Sequence, residues 1–117
     1  MQDIAERYIA SWNETEPQRR RELIGELWAE DASYTDPLVE ARGPDEINEM
    51  IGAVQAQFPG LLFRLAGPVD AHHRQARFTW SLGPAGGEPA VVGFDVAVTA
   101  EDGKLTSVYG FLDKVPS

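Results

Sequence analysis

At 117 residues, with no cysteine and a formal charge of −9, the chain has the size of one domain and excludes disulfides, thiolate nucleophiles and thiolate metal sites. The acidic balance repels phosphate backbones and argues against nucleic-acid binding; no apolar run approaches the length of a membrane span. Met1 leads straight into a polar helical pattern without a basic, apolar leader, so a cytoplasmic location is expected.

Helical spacing governs the first half. Ile4, Tyr8 and Trp12 recur every fourth residue, widened by Ala5 and Ile9, and predict a first helix. A second opens at Thr15-Glu-Pro-Gln18, with Thr15 as cap and Pro17 in the first turn, and carries Leu23, Ile24, Leu27 and Trp28 as its apolar face. Its basic cluster, Arg19-Arg20-Arg21, is followed by Glu22 and Glu26 and reads as a solvated face. A short strand, Tyr34-Thr-Asp-Pro-Leu38, stops at Asp36-Pro37. The third helix starts at Gly43-Pro-Asp-Glu46, presents Ile47, Met50, Ile51 and Val54, and ends before Pro59-Gly60.

After Gly60 the period changes to two. Residues 61–66, 69–73, 76–82, 89–100 and 104–115 read as strands, with turns at 83–87 and 101–104 between the longest. Three helices followed by a run of strands predict an α+β layer fold over residues 1–117, a curved, mostly antiparallel sheet wrapped on a helical layer.

Two carboxylates stand out. Asp36 before Pro37 is either a turn residue whose side chain caps nearby N–H groups or a carboxylate aimed into the fold. In Val91-Val-Gly-Phe-Asp-Val-Ala-Val98, one strand face carries Val92, Phe94, Val96 and Val98, and the other carries Val91, Gly93, Asp95, Ala97 and Thr99. The Asp95 face is either the wet side of the sheet or a cavity wall, and its small apolar neighbours Gly93 and Ala97 suit a cavity wall better. Burying an ionised carboxylate there costs several kcal/mol unless it is paired, hydrogen-bonded or neutral.

The Tyr8-Ile9 pair, the run Glu30-Asp-Ala-Ser-Tyr-Thr-Asp-Pro37, Gly43, Gly67-Pro-Val69 and Phe94-Asp-Val96 followed by Asp102-Gly103 resemble, in order and over nearly the whole chain, the NTF2-like superfamily. The nearest branches are the SnoaL-like proteins and the ketosteroid isomerases. The resemblance implies a cone with a pocket at its wide end. It also implies a catalytic set: Asp36 as base, with Tyr8 and a protonated Asp95 as the hydrogen-bond donors to an enolate oxygen. Trp28 and Ile51 stand where the isomerases usually keep tyrosines.

On this reading Asp95, walled by Gly93, Ala97 and the Val108, Gly110, Leu112 face of the next strand, is expected to be raised in pKa and largely neutral at pH 7. Trp12, Trp28, Trp80, Val108 and Leu112 are the expected ligand contacts, and the buried Trp28 N–H is expected to find Asp36 as partner. His72 and His73 alternate in direction along a strand, so they cannot converge on one metal ion. Phosphate-loop, nucleophile-elbow and dinucleotide motifs are not found, so neither cofactor nor metal is expected. The expected partner is a small, mostly apolar molecule. Two functions fit: a cofactor-independent isomerase, cyclase or lyase acting on an enolisable carbonyl compound, or a non-catalytic binding module. An inward Asp95 would turn Val92, Phe94, Val96 and Val98 outward with Tyr109 and Phe111, a patch that a homodimer would cover.

Overall fold

The computed structural model of the chain describes residues 1–116. Helix α1 (Gln2–Asn13) buries Ala5, Tyr8, Ile9, Ser11 and Trp12, the stripe read from the spacing. The side chain of Asn13 closes it onto the sheet, accepting from Phe63 N (2.8 Å) and donating to Phe63 O (3.0 Å). Helix α2 (Pro17–Leu27) is capped by Glu16, not Thr15: with Pro17 as first helical residue, Glu16 holds the cap position and its carboxylate accepts from Arg19 N.

The basic cluster is not uniformly solvated. Arg19 is exposed, but Arg20 is buried. It donates to Asn48 Oδ1 (2.6 Å), Gln55 Oε1 (2.8 Å) and Glu14 O (3.1 Å), which ties α2 to α3 and to the connection from α1.

Trp28 is the C-cap of α2 and already extended, so β1 (Trp28–Thr35) begins there and runs much longer than the Tyr34–Leu38 segment expected. A short strand that the pattern did not reveal, β2 (Glu40–Arg42), pairs back on it, because three residues are too few to display a period. Helix α3 (Gly43–Gln57) follows. The remaining strands are β3 (Leu62–Leu65), β4 (Asp70–His72), β5 (Gln75–Gly83), β6 (Val91–Thr99) and β7 (Leu105–Lys114), close to the expected ranges.

The sheet order is β2-β1-β7-β6-β5-β3, with β4 also paired to β5. Every pairing is antiparallel except β1 with β7, which is parallel, so the curved sheet is mixed. Ile24, Leu27, Ile47, Ile51, Leu105 and Val108 fill the contact between helices and sheet. Strand β6 alternates as read: Val91, Gly93, Asp95, Ala97 and Thr99 are buried against the helices, and the intervening residues face outward. On that outer face Phe94 and Phe111 lie with ring centroids 6.3 Å apart, and Tyr109 and Phe111 are exposed.

Candidate active site in the sheet cavity

Side chains from α1, β1, α3, β5, β6 and β7 enclose a cavity of about 580 Å³, within the range of small-molecule sites. Six aromatic side chains, Tyr8, Trp12, Tyr34, Phe58, Phe63 and Trp80, line it among aliphatic ones. Two carboxylates reach it, Asp36 and Asp95.

Asp95 is 2 % exposed and accepts two hydrogen bonds. Tyr8 O–H donates to Oδ2 (2.7 Å) and the Trp80 indole N–H donates to Oδ1 (3.0 Å). Local register explains the second contact. Trp80 lies directly opposite Gly93, and the indole extends across the space where a larger residue would carry its side chain, toward the carboxylate two positions on. Burial pushes the Asp95 carboxyl up to about 6, the two donated hydrogen bonds hold it from rising further, and the nearby Asp36 charge adds to the rise. Asp95 is therefore raised, as expected. The Trp80 N–H, which favours the anion, was the unforeseen partner.

Tyr8 is pushed well above the usual phenol range by burial and then by the Asp95 charge, so its proton stays on. Tyr34 is raised for the same reasons, burial first, then Asp95 and Asp36.

Asp36 answers to both of its readings. It caps its own turn, its Oδ1 accepting from Leu38 N (2.8 Å) and Val39 N (2.9 Å), while Asp36 N donates to Val39 O (2.9 Å). It also lines the cavity, where Oδ2 accepts from Tyr34 O–H (2.7 Å). Residues 34 and 36 share a face of an extended segment, a spacing that could have named Tyr34 beforehand. The two carboxylates converge near Gly110, where a Cβ would lie 2.9 Å from Asp95 Oδ1 and 3.2 Å from Asp36 Cβ.

Of the expected ligand contacts, Trp12, Trp80 and Leu112 line the cavity. Trp28 and Val108 lie behind its wall in the core, almost fully buried. Trp28 does not bond Asp36: it starts β1 while Asp36 follows its far end, and the Trp28 N–H is buried without a partner. His72 and His73 are exposed at β4 and its turn, away from the cavity. Among the described residues no cluster of three potential metal ligands occurs, and no helix is long and apolar enough to cross a membrane.

The model of the SnoaL-like domain matches residues 5–108. Comparison with curated proteins finds no match. Among solved structures, a protein from Agrobacterium tumefaciens described as a "putative isomerase of the SnoaL-like family" shares 42 % identity over 95 % of each chain, with a TM-score of 0.91. A "putative polyketide cyclase" from Sinorhizobium meliloti is 16 % identical over 92 % of this chain and 93 % of its own, TM-score 0.71. A hypothetical protein with a ketosteroid-isomerase-like fold from Catenulispora acidiphila, solved in complex with trimethylamine, is 18 % identical over 92 % of this chain and 82 % of its own, TM-score 0.73. The last two show the fold alone. With matched residues spanning most of its length, and a seven-stranded curved sheet over three helices, the chain belongs to the SnoaL-like family and has the α+β cone of NTF2-like and ketosteroid-isomerase-like proteins.

Proposed function

We propose that the cavity is the active site of a cofactor-independent acid–base enzyme, an isomerase, cyclase or lyase acting on a small, mostly apolar, enolisable carbonyl compound. The observation that carries this reading is Asp95: a carboxylate buried in an aromatic cavity, with its pKa about 6 and both oxygens oriented by donors. A base near neutrality that faces a substrate-sized cavity suits proton transfer α to a carbonyl.

Asp95 is assigned the role of base in place of Asp36. Asp36 is fixed by two backbone N–H groups of its turn and by Tyr34 O–H, whereas Asp95 is held by side chains alone. The indole N–H on Oδ1 can only donate, so a proton taken from substrate favours Oδ2. There it faces the Tyr8 oxygen. Oδ2–H can then donate to Tyr8, which frees the phenolic hydrogen to turn to the developing enolate oxygen. One Tyr–Asp pair thus supplies the base and the oxyanion donor in succession. Return of the proton to a different carbon completes an isomerisation; attack of the enolate on a second carbonyl completes a cyclisation.

The test is hydrogen–deuterium exchange α to the carbonyl, followed by NMR across a panel of small ketones and β-dicarbonyl compounds. Wild-type protein is expected to accelerate exchange with at least one. Asp95→Asn should lose 10²-fold or more of that acceleration, the scale of general-base catalysis, and Asp36→Asn much less. Equal losses in the two variants would return the base role to Asp36. No exchange with any compound would leave a binding module.

A further inference from the structure

Three of the polar groups that face the cavity have their hydrogens directed at its two carboxylates, while Trp12 and Gln57 line it without a bond to either acid. Tyr8 O–H and Trp80 N–H point to Asp95, and Tyr34 O–H points to Asp36. What these groups offer a ligand in the resting site is oxygen lone pairs. Among the cavity-lining residues there is no Lys, Arg or His to balance the carboxylates. The Asp36 charge bears on Asp95 and on Tyr34, so the repulsion between the two acids is felt inside the site. Six aromatic side chains surround them, and the faces of aromatic rings attract organic cations. The net charge of −9 adds a field of the same sign around the molecule.

We infer that the site's ligand is an organic amine bound as its ammonium ion, the cationic head seated between Asp36 and Asp95 against the Tyr34 oxygen and the aromatic wall, with its apolar part in the remainder of the cavity. The inference rests on the reading of this cavity as the substrate site and specifies the substrate class. An ammonium group brings N–H donors to these oxygens and offsets the repulsion between the carboxylates.

The titratable groups facing Asp95 are Tyr8 from α1, with Tyr34 and Asp36 from β1 and its turn; Trp80 from β5 donates without titrating, and β7 presents Gly110 and Leu112. The phenols keep their protons through the neutral range, so the pH response of cation binding is followed through Asp95.

Cyclohexylamine, cyclohexanol and cyclohexanecarboxylate, which share one ring and differ in their heads, are the probes, titrated calorimetrically at pH 7.5. The amine is expected to bind at least tenfold more tightly than the alcohol, and the carboxylate not measurably. At pH 5 the amine should bind roughly tenfold more weakly, because most Asp95 is then protonated, and Asp95→Asn should show weak binding at both values. Equal or tighter binding of the alcohol or the carboxylate, failure of the amine to bind, or an amine preference that survives in Asp95→Asn would overturn the inference. Carbon-acid exchange on neutral ketones separates the two proposals: exchange without an amine preference retains the enzyme and rejects the ammonium ligand, whereas an amine preference without exchange does the reverse.

Discussion

Gly93 is where the site is most sensitive to a single atom. A Cβ placed there would lie 2.1 Å from Cζ2 of Trp80, 2.4 Å from Cε2 and 2.8 Å from Cη2, with Trp80 opposite in the strand register. These are atoms of a rigid indole. Ordinary carbon contact requires about 3.5–4.0 Å, so in Gly93→Ala the ring has to shift by more than an ångström. It is held on one side by Asp95 (3.0 Å) and on the other by Phe63, at a centroid distance of 5.5 Å.

Overpacking of this kind costs about 1–3 kcal/mol. Losing a hydrogen bond to a buried charged group adds about 1–3 kcal/mol more. A total of about 2–6 kcal/mol is a large share of the roughly 5–15 kcal/mol that stabilises a domain. At about 4 °C per kcal/mol, the lower part of the range for this size, Gly93→Ala is expected to melt about 8–24 °C below wild type by circular dichroism. Trp80→Phe removes the indole atoms that clash. The double variant should therefore melt within about 2 °C of Trp80→Phe alone, a strong positive coupling in the double-mutant cycle. A Gly93→Ala protein within 2 °C of wild type, or additive effects in the double variant, would refute the argument that the indole occupies the space above Gly93.

Two further outcomes can be measured. The folded Asp95 pKa, about 6, lies above the ordinary 3.8, so the folded state holds this proton more tightly than the unfolded chain. Its contribution is fully present below pH 4 and lost as pH rises through 6, by about 3 kcal/mol. Between pH 4.5 and 7.5 the melting temperature of wild type should therefore fall relative to that of Asp95→Asn, and parallel curves would show that Asp95 does not titrate in this window. We also propose that the outer sheet face pairs with a second copy of the chain, because it leaves Tyr109 and Phe111 46 % and 54 % exposed beside Phe94. Sedimentation at micromolar concentration should give a dimer that Phe111→Glu converts to monomer, and a monomeric wild type would remove the proposal.

Much of this was legible in the sequence because periodicity reports which way side chains point. Alternation in β6 assigned Asp95 to the same face as Gly93 and Ala97, and helical spacing put Tyr8 and Trp12 on one stripe; both hold. Periodicity does not report where one element hands over to the next. Leu27 and Trp28 continue an apolar helical pattern, yet the backbone becomes extended at Trp28, so the residue faces the core instead of the cavity. Nor does it report strand neighbours. The Trp80–Asp95 contact depends on the β5–β6 register, which the long turn between the strands leaves open. The two readings of Asp36 looked exclusive because each considered one oxygen. The carboxylate has two, one for the turn and one for the cavity.

The parallel pairing of β1 with β7 sets the order in which the chain can assemble. Tyr34 takes its place beside Val108, about seventy residues further along, whereas β5–β6 and β6–β7 are pairs of consecutive strands. The hairpins can form locally. The helices and β1 cannot close their side of the core until β7 has been made, so Trp28, whose strand partner is Leu105, remains open to solvent or to other chains until then. A cavity built between the first helix and the later strands thus closes only once β7 has joined β1 to them.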